Sequence, residues 1–148
     1  ITSPIEITTS LTLNLGGKEL SGHNTQLLHP KSGDVTIDGK LNGSTIKATS
    51  DSSYTGNLYA IQAINESLTV TGCKFVLSSA SRNKYVTGIK TASGAGTCLI
   101  DSVTVEIVAN AQCIDGMQMY AQQVEIKNCK IVGIKNKDIS DIIANILR

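Results

Sequence analysis

One pattern recurs along the chain: it reads LTVTGCKF over residues 68–75, CLIDSVTV over 98–105 and VEIKNCKI over 124–131. In each copy a Gly, Ser or Asn separates two alternating apolar pairs and shifts the alternation by one position. Alternation with a period of two is typical of strands that are buried on one face. A bend at the central residue keeps the apolar side chains pointing inward on both sides, since Gly and Asn tolerate left-handed backbone angles.

A second alternating segment recurs at a step of 28 residues, as AIQA over residues 60–63, GIKT over 88–91 and GMQM over 116–119. Repeats of this length cannot bury an apolar face alone, so neighbouring coils must stack in register. The sequence therefore predicts an all-β chain folded as a right-handed parallel β-helix. The ladders that we expect in its core are Ile61/Ile89/Met117, Val70/Ile100/Ile126 and Phe75/Val105/Ile131.

The repeat resembles the right-handed parallel β-helix of the pectate-lyase-like superfamily, which includes polysaccharide lyases, polygalacturonases and bacteriophage tailspikes. The likeness is carried by residues 5–18 and 124–131, and it extends over residues 5–134. It implies the fold but not the function, because one fold of this kind hosts many chemistries and many structural proteins.

The period changes near the C-terminus, where Asp138 can cap a helix. The apolar residues that follow recur at helical spacing: Ile139, Ile142, Ile143, Ile146 and Leu147. We therefore predict one domain with β-helix coils over 1–137 and an amphipathic capping helix over 138–148, which covers the last coil. A partner-binding helix is the alternative. Since the chain opens with Ile1 and its first coil has no such cover, we expect a fragment of a longer chain.

Composition excludes several classes of protein. Thirteen basic and twelve acidic residues give the chain a net charge of +1, which provides no field for nucleic acid. No apolar run is long enough to insert into a membrane, and no cofactor motif occurs. We therefore expect no nucleic-acid partner, no membrane insertion and no cofactor.

The four cysteines fall at positions that do not favour disulfides. Cys73 and Cys129 share one ladder position with Val103 between them, so strand spacing puts them about 9–10 Å apart. Cys98 and Cys113 align with no other cysteine. The sequence predicts four reduced thiols and synthesis in a reducing cytoplasm.

The resemblance also raises enzymatic alternatives. Lyases of the superfamily use calcium held by clustered carboxylates together with an arginine base, and its hydrolases pair carboxylates across coils. The repeat places Asp101 between Thr71 and Lys127, and we expect no outward ladder with two acids. Residues 88–91 are similar to the substrate-binding Arg-Ile-Lys segment of polygalacturonases, but Gly88 stands in place of the arginine.

The sequence therefore predicts no catalytic residue and favours a protein that is not an enzyme. His23 and His29 are expected in an exposed polar loop between Gly22 and Gly33, without a third ligand for a metal. A partial or degraded polysaccharide lyase or glycoside hydrolase, whose catalytic coils lie outside this chain, remains the alternative.

One outward ladder is the candidate binding surface. Gln62, Lys90 and Gln118 repeat at 28-residue steps beside small residues, and amides supply the paired donors and acceptors that sugar hydroxyls require. Tyr59 and Tyr120 lie near this strip and can stack on a sugar ring. We predict a glycan-binding strip made of these five residues; a merely solvated sheet face is the alternative.

These observations lead to a functional hypothesis. The chain is expected to be a non-catalytic module of a phage fibre or cell-surface protein, located in the virion or outside the cell, that projects a structure and recognises surface glycan. Outward aliphatic side chains at Val76, Val132 and Leu99 predict contacts between subunits. Since tailspikes associate side by side, the resemblance implies a homotrimer.

Overall fold

The computed structural model describes residues 1–40, 43–136 and 145–147, and this part of the chain forms a parallel β-solenoid of about four turns without a helix. Every strand pair in it is parallel. The strands are Ile5–Ile7 (β1), Leu11–Asn14 (β2), Glu19–His23 (β3), Leu28–Pro30 (β4), Asp34–Asp38 (β5), Ser44–Ser50 (β6), Leu58–Ala63 (β7), Ser67–Thr71 (β8), Cys73–Thr91 (β9), Thr97–Asp101 (β10), Thr104–Gln118 (β11), Gln123–Lys127 (β12), Lys130–Asn136 (β13) and Asn145–Leu147 (β14).

The strands build three faces. The first face is a five-stranded sheet in the order β12-β10-β8-β5-β2. The second face contains β3, β6, the first halves of β9 and β11, and β13. The third face contains β1, β4, β7, the second halves of β9 and β11, and β14. Because β9 and β11 run through two faces, the second and third faces belong to one bent sheet.

The predicted ladders are confirmed. Ile61 pairs with Ile89 and Ile89 with Met117, while the other two ladders pair in the same way on the first and second faces. These ladders enclose a core of aliphatic side chains around a fully buried Phe75. Burial of such side chains contributes about 1.5–3 kcal/mol each, which stabilises coils that have no core of their own.

The predicted bends are also confirmed. Gly72, Ser102 and Asn128 adopt left-handed φ angles of 61°, 55° and 51° at the corner between the first and second faces. Each corner continues the backbone hydrogen bonding between coils, since the amide of Gly72 donates to the carbonyl of Asp101 at 3.1 Å. The left-handed residue turns the chain without interrupting the stack.

The coils are not all 28 residues long. Pairing advances by 33 residues from Leu28 to Ile61 and by 28 from Ile61 to Ile89. Most of the difference arises between the first and second faces, where five sequence positions separate Asp38 from Ser44 but Gly72 alone separates Thr71 from Cys73 one coil later. The sequence repeat therefore predicted the register of the later coils more accurately than that of the earlier ones.

One local prediction lies largely outside the described residues, and another requires correction. Of the capping helix expected over 138–148, residues 138–144 and 148 lie outside the described part, and residues 145–147 form strand β14 beside β11. Isolated helices of this length gain little stability from their own hydrogen bonds, so pairing with a sheet edge can override helical spacing. His23 and His29 lie on strands β3 and β4 and not in a loop, because outward polar residues on short strands resemble loop residues in sequence.

Candidate functional site

The candidate strip is a continuous ladder on the third face. Gln62 pairs with Lys90 and Lys90 with Gln118, as predicted. The pairing of Leu28 with Ile61 brings His29 beside Gln62, and Glu6 pairs with His29. We call this row the polar ladder; its members are Glu6, His29, Gln62, Lys90 and Gln118.

The ammonium group of Lys90 contacts a tyrosine of the preceding coil and a tyrosine of its own strand. Its Nζ lies 3.4 Å from the hydroxyl of Tyr59, 5.0 Å from the centroid of the Tyr59 ring and 5.9 Å from the centroid of the Tyr85 ring. Ammonium groups at such distances are attracted by the negative face of an aromatic ring. The two rings therefore restrict the position of the lysine ammonium group.

The two predicted tyrosines differ in accessibility. Tyr59 is only 2% exposed, so its ring cannot stack on a sugar without displacement of its cover, whereas Tyr120 is 48% exposed. The backbone amide of Tyr120 donates to Oγ1 of Thr91 at 2.7 Å, which fixes this tyrosine next to Lys90 in the fold. The contact of Tyr85 with Lys90 was not predicted, because it depends on how the chain passes from the second to the third face.

Gln118 is more buried than an outward position predicts. It is 5% exposed, and its Oε1 has no hydrogen-bond partner. A buried acceptor without a donor costs about 1–3 kcal/mol. Gln118 is therefore the member of the polar ladder whose side chain carries a buried, unsatisfied acceptor.

The N-terminal half of the polar ladder carries a different charge pattern. Glu6 and Lys31 form an ion pair at 2.6 Å, and the hydrogen bond and charge of Lys31 lower the pKa of Glu6. Burial, assisted by the charge of Lys31, lowers the pKa of His29. His29 is consequently neutral at pH 7, and positive charge on the ladder itself is concentrated at Lys90.

A second polar row was not predicted. On the first face Asp38 pairs with Thr71 and Thr71 with Asp101, so two acids share one outward ladder and the expectation of none was wrong. The sequence repeat did not indicate this row, because Asp38 precedes Thr71 by 33 residues whereas Thr71 precedes Asp101 by 30. We call the cleft beside this row the acid groove; it has a volume of about 440 Å³, and its lining includes Asp38, Lys40, Thr71, Gly72, Asp101 and Ser102.

Asp101 of the groove is held as a hydrogen-bond acceptor. Asp101 accepts hydrogen bonds from Nδ2 of Asn128 and Oγ of Ser102, both at 3.0 Å, and these bonds lower its pKa. A general acid requires the opposite shift. The geometry therefore suits Asp101 to accept protons and not to donate them.

Asp51 organises a second polar cluster, on the second face. Its carboxylate accepts hydrogen bonds from Nδ2 of Asn24 at 2.9 Å and from the backbone amide of Ser53 at 2.8 Å, and Nε2 of His23 lies 3.2 Å away. Nδ1 of His23 lies 2.9 Å from Oγ1 of Thr49. Donors from Ser53 and Asn24 lower the pKa of Asp51 strongly. We interpret this cluster as a clamp between the first two coils and the turn that follows β6.

The aliphatic side chains that predicted a subunit contact do not form one surface. Val76 and Val132 lie on the second face with Glu106 between them, and Glu106 pairs with Lys74 at 3.0 Å. Leu99 lies on the first face. Any contact through these residues must therefore include charged groups.

The four cysteines are all free, as predicted. Within residues 1–40, 43–136 and 145–147, no cluster of three metal-ligating side chains occurs, and no helix could span a membrane. Comparisons with protein-family models, with curated proteins and with solved structures found no match.

Proposed function

We propose that this chain is a non-catalytic recognition module that binds a surface glycan along the polar ladder of its third face. The observation that carries the proposal is the register of Gln62, Lys90 and Gln118 on adjacent strands. Parallel strands lie about 4.8 Å apart, so the three polar groups form an evenly spaced row. Such a row suits an extended sugar chain, whose hydroxyl groups each require a donor and an acceptor.

The free hydrogen-bonding capacity of the two amides supports this proposal. Within the part of the chain that the structure describes, neither Gln62 nor Gln118 hydrogen-bonds through its side chain to another residue, and Oε1 of Gln118 is buried without a donor. Displacement of the groups that cover Gln118 would let a sugar hydroxyl donate to this oxygen. Binding would then remove the cost of the unsatisfied acceptor.

Tyr120 contributes a second kind of contact. Its exposed ring lies two residues after Gln118 and offers an apolar surface with a polar end. Sugar rings present apolar C–H faces beside their hydroxyl groups, so the amide row and the tyrosine together provide both contacts that a sugar needs.

A glycan array followed by titration calorimetry tests the proposal. The double variant Gln62→Ala/Gln118→Ala is expected to weaken binding of the best array ligand at least tenfold. Its matched control is Thr36→Ala/Thr69→Ala, which removes two paired outward side chains from the first face and should change the affinity by less than twofold. Absence of binding, or equal loss in both variants, would overturn the proposal.

We also infer that the module belongs to a phage fibre or cell-surface protein and associates as a homotrimer. A solenoid fold suits projection from a surface, and Val132 is 36% exposed on the second face. Sedimentation analysis should give three times the chain mass, and Val132→Asp should reduce it while Ser93→Asp in an exposed turn should not. A monomer at every concentration would contradict the trimer.

A glycoside hydrolase is the second candidate, and the acid groove favours it. Asp38 and Asp101 lie two strands apart, about 9–10 Å between their Cα atoms by strand spacing. Inverting hydrolases separate their two carboxyl groups by about 6.5–9.5 Å. With the pKa of Asp101 lowered, this residue would be the base and Asp38 the acid.

Release of reducing ends from polysaccharides distinguishes the two candidates. Under the non-catalytic proposal the protein releases none. Release that is lost in both Asp38→Asn and Asp101→Asn, and retained in the control Asp34→Asn on the same strand as Asp38, would establish the hydrolase instead.

A further inference from the structure

We propose that copies of this chain stack end to end, so that the last coil of one copy pairs with the first coil of the next. The partner at each end of the solenoid is therefore a second copy in head-to-tail orientation. The trimer contact inferred above lies on the side of the coil, so stacking would add copies beyond three.

The core of the solenoid is buried in the middle and exposed at both ends. One inward ladder of the first face runs through all five strands, and its members are Leu11, Val35, Leu68, Cys98 and Val124. The three middle members are at most 2% exposed, whereas Leu11 and Val124 are each 42% exposed. Apolar side chains that point into a core and still meet solvent favour a contact that removes them from water.

The strands at the two ends also have free edges. Within residues 1–40, 43–136 and 145–147, β2 and β12 each pair with one strand only, and so do β3 and β13. Such an edge presents a row of N–H and C=O groups that can pair with another chain. Both ends of the first two faces can therefore extend their sheets.

The corner between the first and second faces repeats one backbone hydrogen bond from coil to coil. At each corner an amide donates to a carbonyl of the next coil, and the pairs are Leu15 to Asp38, Gly39 to Thr71, Gly72 to Asp101 and Ser102 to Lys127. Asn128 occupies the same corner in the last coil. In a stack its amide would donate to the carbonyl of Asn14 of the next copy.

The register of the solenoid determines which apolar residues would meet. A stack that continues the ladders sets Val124 beside Leu11 of the next copy on the first face. On the second face it sets Ile131 beside Leu20, and both are partly buried residues at the ends of the core. A slip by one residue would turn these side chains outward, so burial specifies this register.

Charges at the two ends are complementary in the same register. One outward ladder of the second face consists of Glu19, Thr45, Lys74, Thr104 and Lys130. Its continuation sets Lys130 of one copy opposite Glu19 of the next, and both residues are exposed. Opposite charges directly across a strand pair stabilise it. On the first face the outward charges of β12 would lie beside Thr12 and Asn14, so like charges do not meet there.

Stacking exchanges two short contacts for equivalent ones. Strand β14 pairs with β11 where β1 of the next copy would lie, and both strands have three residues. Ile1 bonds to the carbonyl of Ser21 at 3.3 Å and to the amide of His23 at 2.9 Å, and pairing of β3 with β13 would replace these bonds. The pairing of β12 with β2 is gained without such an exchange.

Charge reversal tests the register. Sedimentation velocity should show wild-type species that grow beyond three chains as the protein concentration rises, because a head-to-tail contact of this kind does not close. Glu19→Lys and Lys130→Glu should each raise the concentration at which half of the chains are stacked about tenfold, since like charges then oppose each other. The double variant Glu19→Lys/Lys130→Glu should restore the wild-type value within threefold. The control Lys47→Glu, in a middle coil of the second face, should behave as the wild type.

A mixing experiment tests the head-to-tail orientation. Leu11→Asp places an inward charge in the first coil and Val124→Asp places one in the last, at positions exposed enough for the fold to tolerate it. Neither variant should stack alone, but an equal mixture should form a species of twice their mass through the two intact ends. Circular dichroism confirms that each variant is folded. Stacking of either variant alone, failure of the folded mixture to pair, no recovery in the charge-swapped double variant, or a wild type that never exceeds three chains would overturn the proposal.

Discussion

Single residues with left-handed backbone angles lie where the coil turns, and such angles cost conformational free energy. Asn24, Lys40, Ser102 and Asn128 adopt positive φ without being glycine. A left-handed backbone costs an L-residue about 1–2 kcal/mol, less for Asn. Ser102 and Asn128 compensate through side-chain hydrogen bonds to Asp101, whereas the exposed side chain of Lys40 makes none within the described chain.

Lys40→Gly is therefore expected to stabilise the protein. Glycine adopts the φ of 43° without strain, and the backbone amide keeps its 2.8 Å hydrogen bond to Oδ1 of Asp38. The relief of strain, reduced by the entropy of a more flexible unfolded chain, should raise the free energy of unfolding by about 0.5–1 kcal/mol in urea titration. Lys18→Gly, at an exposed position without positive φ, should not increase stability. A loss of stability in Lys40→Gly would contradict the strain argument.

The Asp51 cluster makes stability depend on acidity. Hydrogen bonds lower the pKa of Asp51 in the folded state below its ordinary value of 3.8. A lowered pKa stabilises the fold above pH of about 4 and loses this effect as the pH falls. The wild type should therefore lose more stability than Asp51→Asn between pH 5 and pH 2, as measured by thermal melting at each pH. Parallel decreases in the two proteins would contradict the role of the carboxylate.

At the scale of elements, the sequence predicted the strands that repeat evenly and failed where the repeat changes. The ladders of β7, β9 and β11 could be predicted because equal 28-residue steps place apolar residues at equal positions. The row of Asp38 and Asp101 could not be predicted from equal steps, because more sequence positions separate β5 from β6 than separate β8 from β9. The C-terminal segment was ambiguous, since Ile146 and Leu147 fit a helix or a strand edge.

Close approach of neighbouring coils predicts the effect of Gly88→Ala. A Cβ atom at Gly88 would lie 2.5 Å from the carbonyl oxygen of Gly116 and 2.9 Å from Cγ1 of Val105. Because one of these atoms belongs to the backbone, the coils must separate, and we expect a loss of about 1–3 kcal/mol in the free energy of unfolding.

Gly94→Ala is the matched control, because a Cβ atom there meets no atom within 4 Å and only its φ of 94° opposes the change. Unfolding of the third face near the polar ladder should become less cooperative in Gly88→Ala and not in Gly94→Ala. Urea titration with equal slopes and equal midpoints for both variants would show that the coils are not tightly apposed.

For the whole molecule, the sequence predicted the candidate site in outline only. The order of Gln62, Lys90 and Gln118 follows from the repeat. The burial of Tyr59, the unsatisfied Oε1 of Gln118 and the contact of Lys90 with Tyr85 on the same strand, β9, are details of side-chain packing. Such details do not repeat from coil to coil, so no periodicity in the sequence predicts them.

The reactivity of the cysteine thiols measures how completely the core is shielded from solvent. Burial raises the pKa of Cys98 to about 12 and that of Cys73 to about 11, so both stay neutral and inaccessible at pH 8. A disulfide reagent should react within minutes with the half-buried Cys113 and Cys129 only, and with all four thiols in denaturant. Because raised thiol pKa values stabilise the fold below about pH 9, stability should decrease as the pH rises above it. Four rapid reactions in the native protein would contradict a closed core.

The unequal corner between the first and second faces has a consequence for how such a protein can change over evolution or by design. Gly72 alone separates β8 from β9, whereas five sequence positions separate β5 from β6 in the preceding coil, and the strands on both sides of the corner pair without a register shift. Loop closure becomes only slowly more costly with length, so added residues here cost little. We expect this corner to accept inserted peptides, which makes the solenoid a scaffold for displaying foreign sequences beside the acid groove.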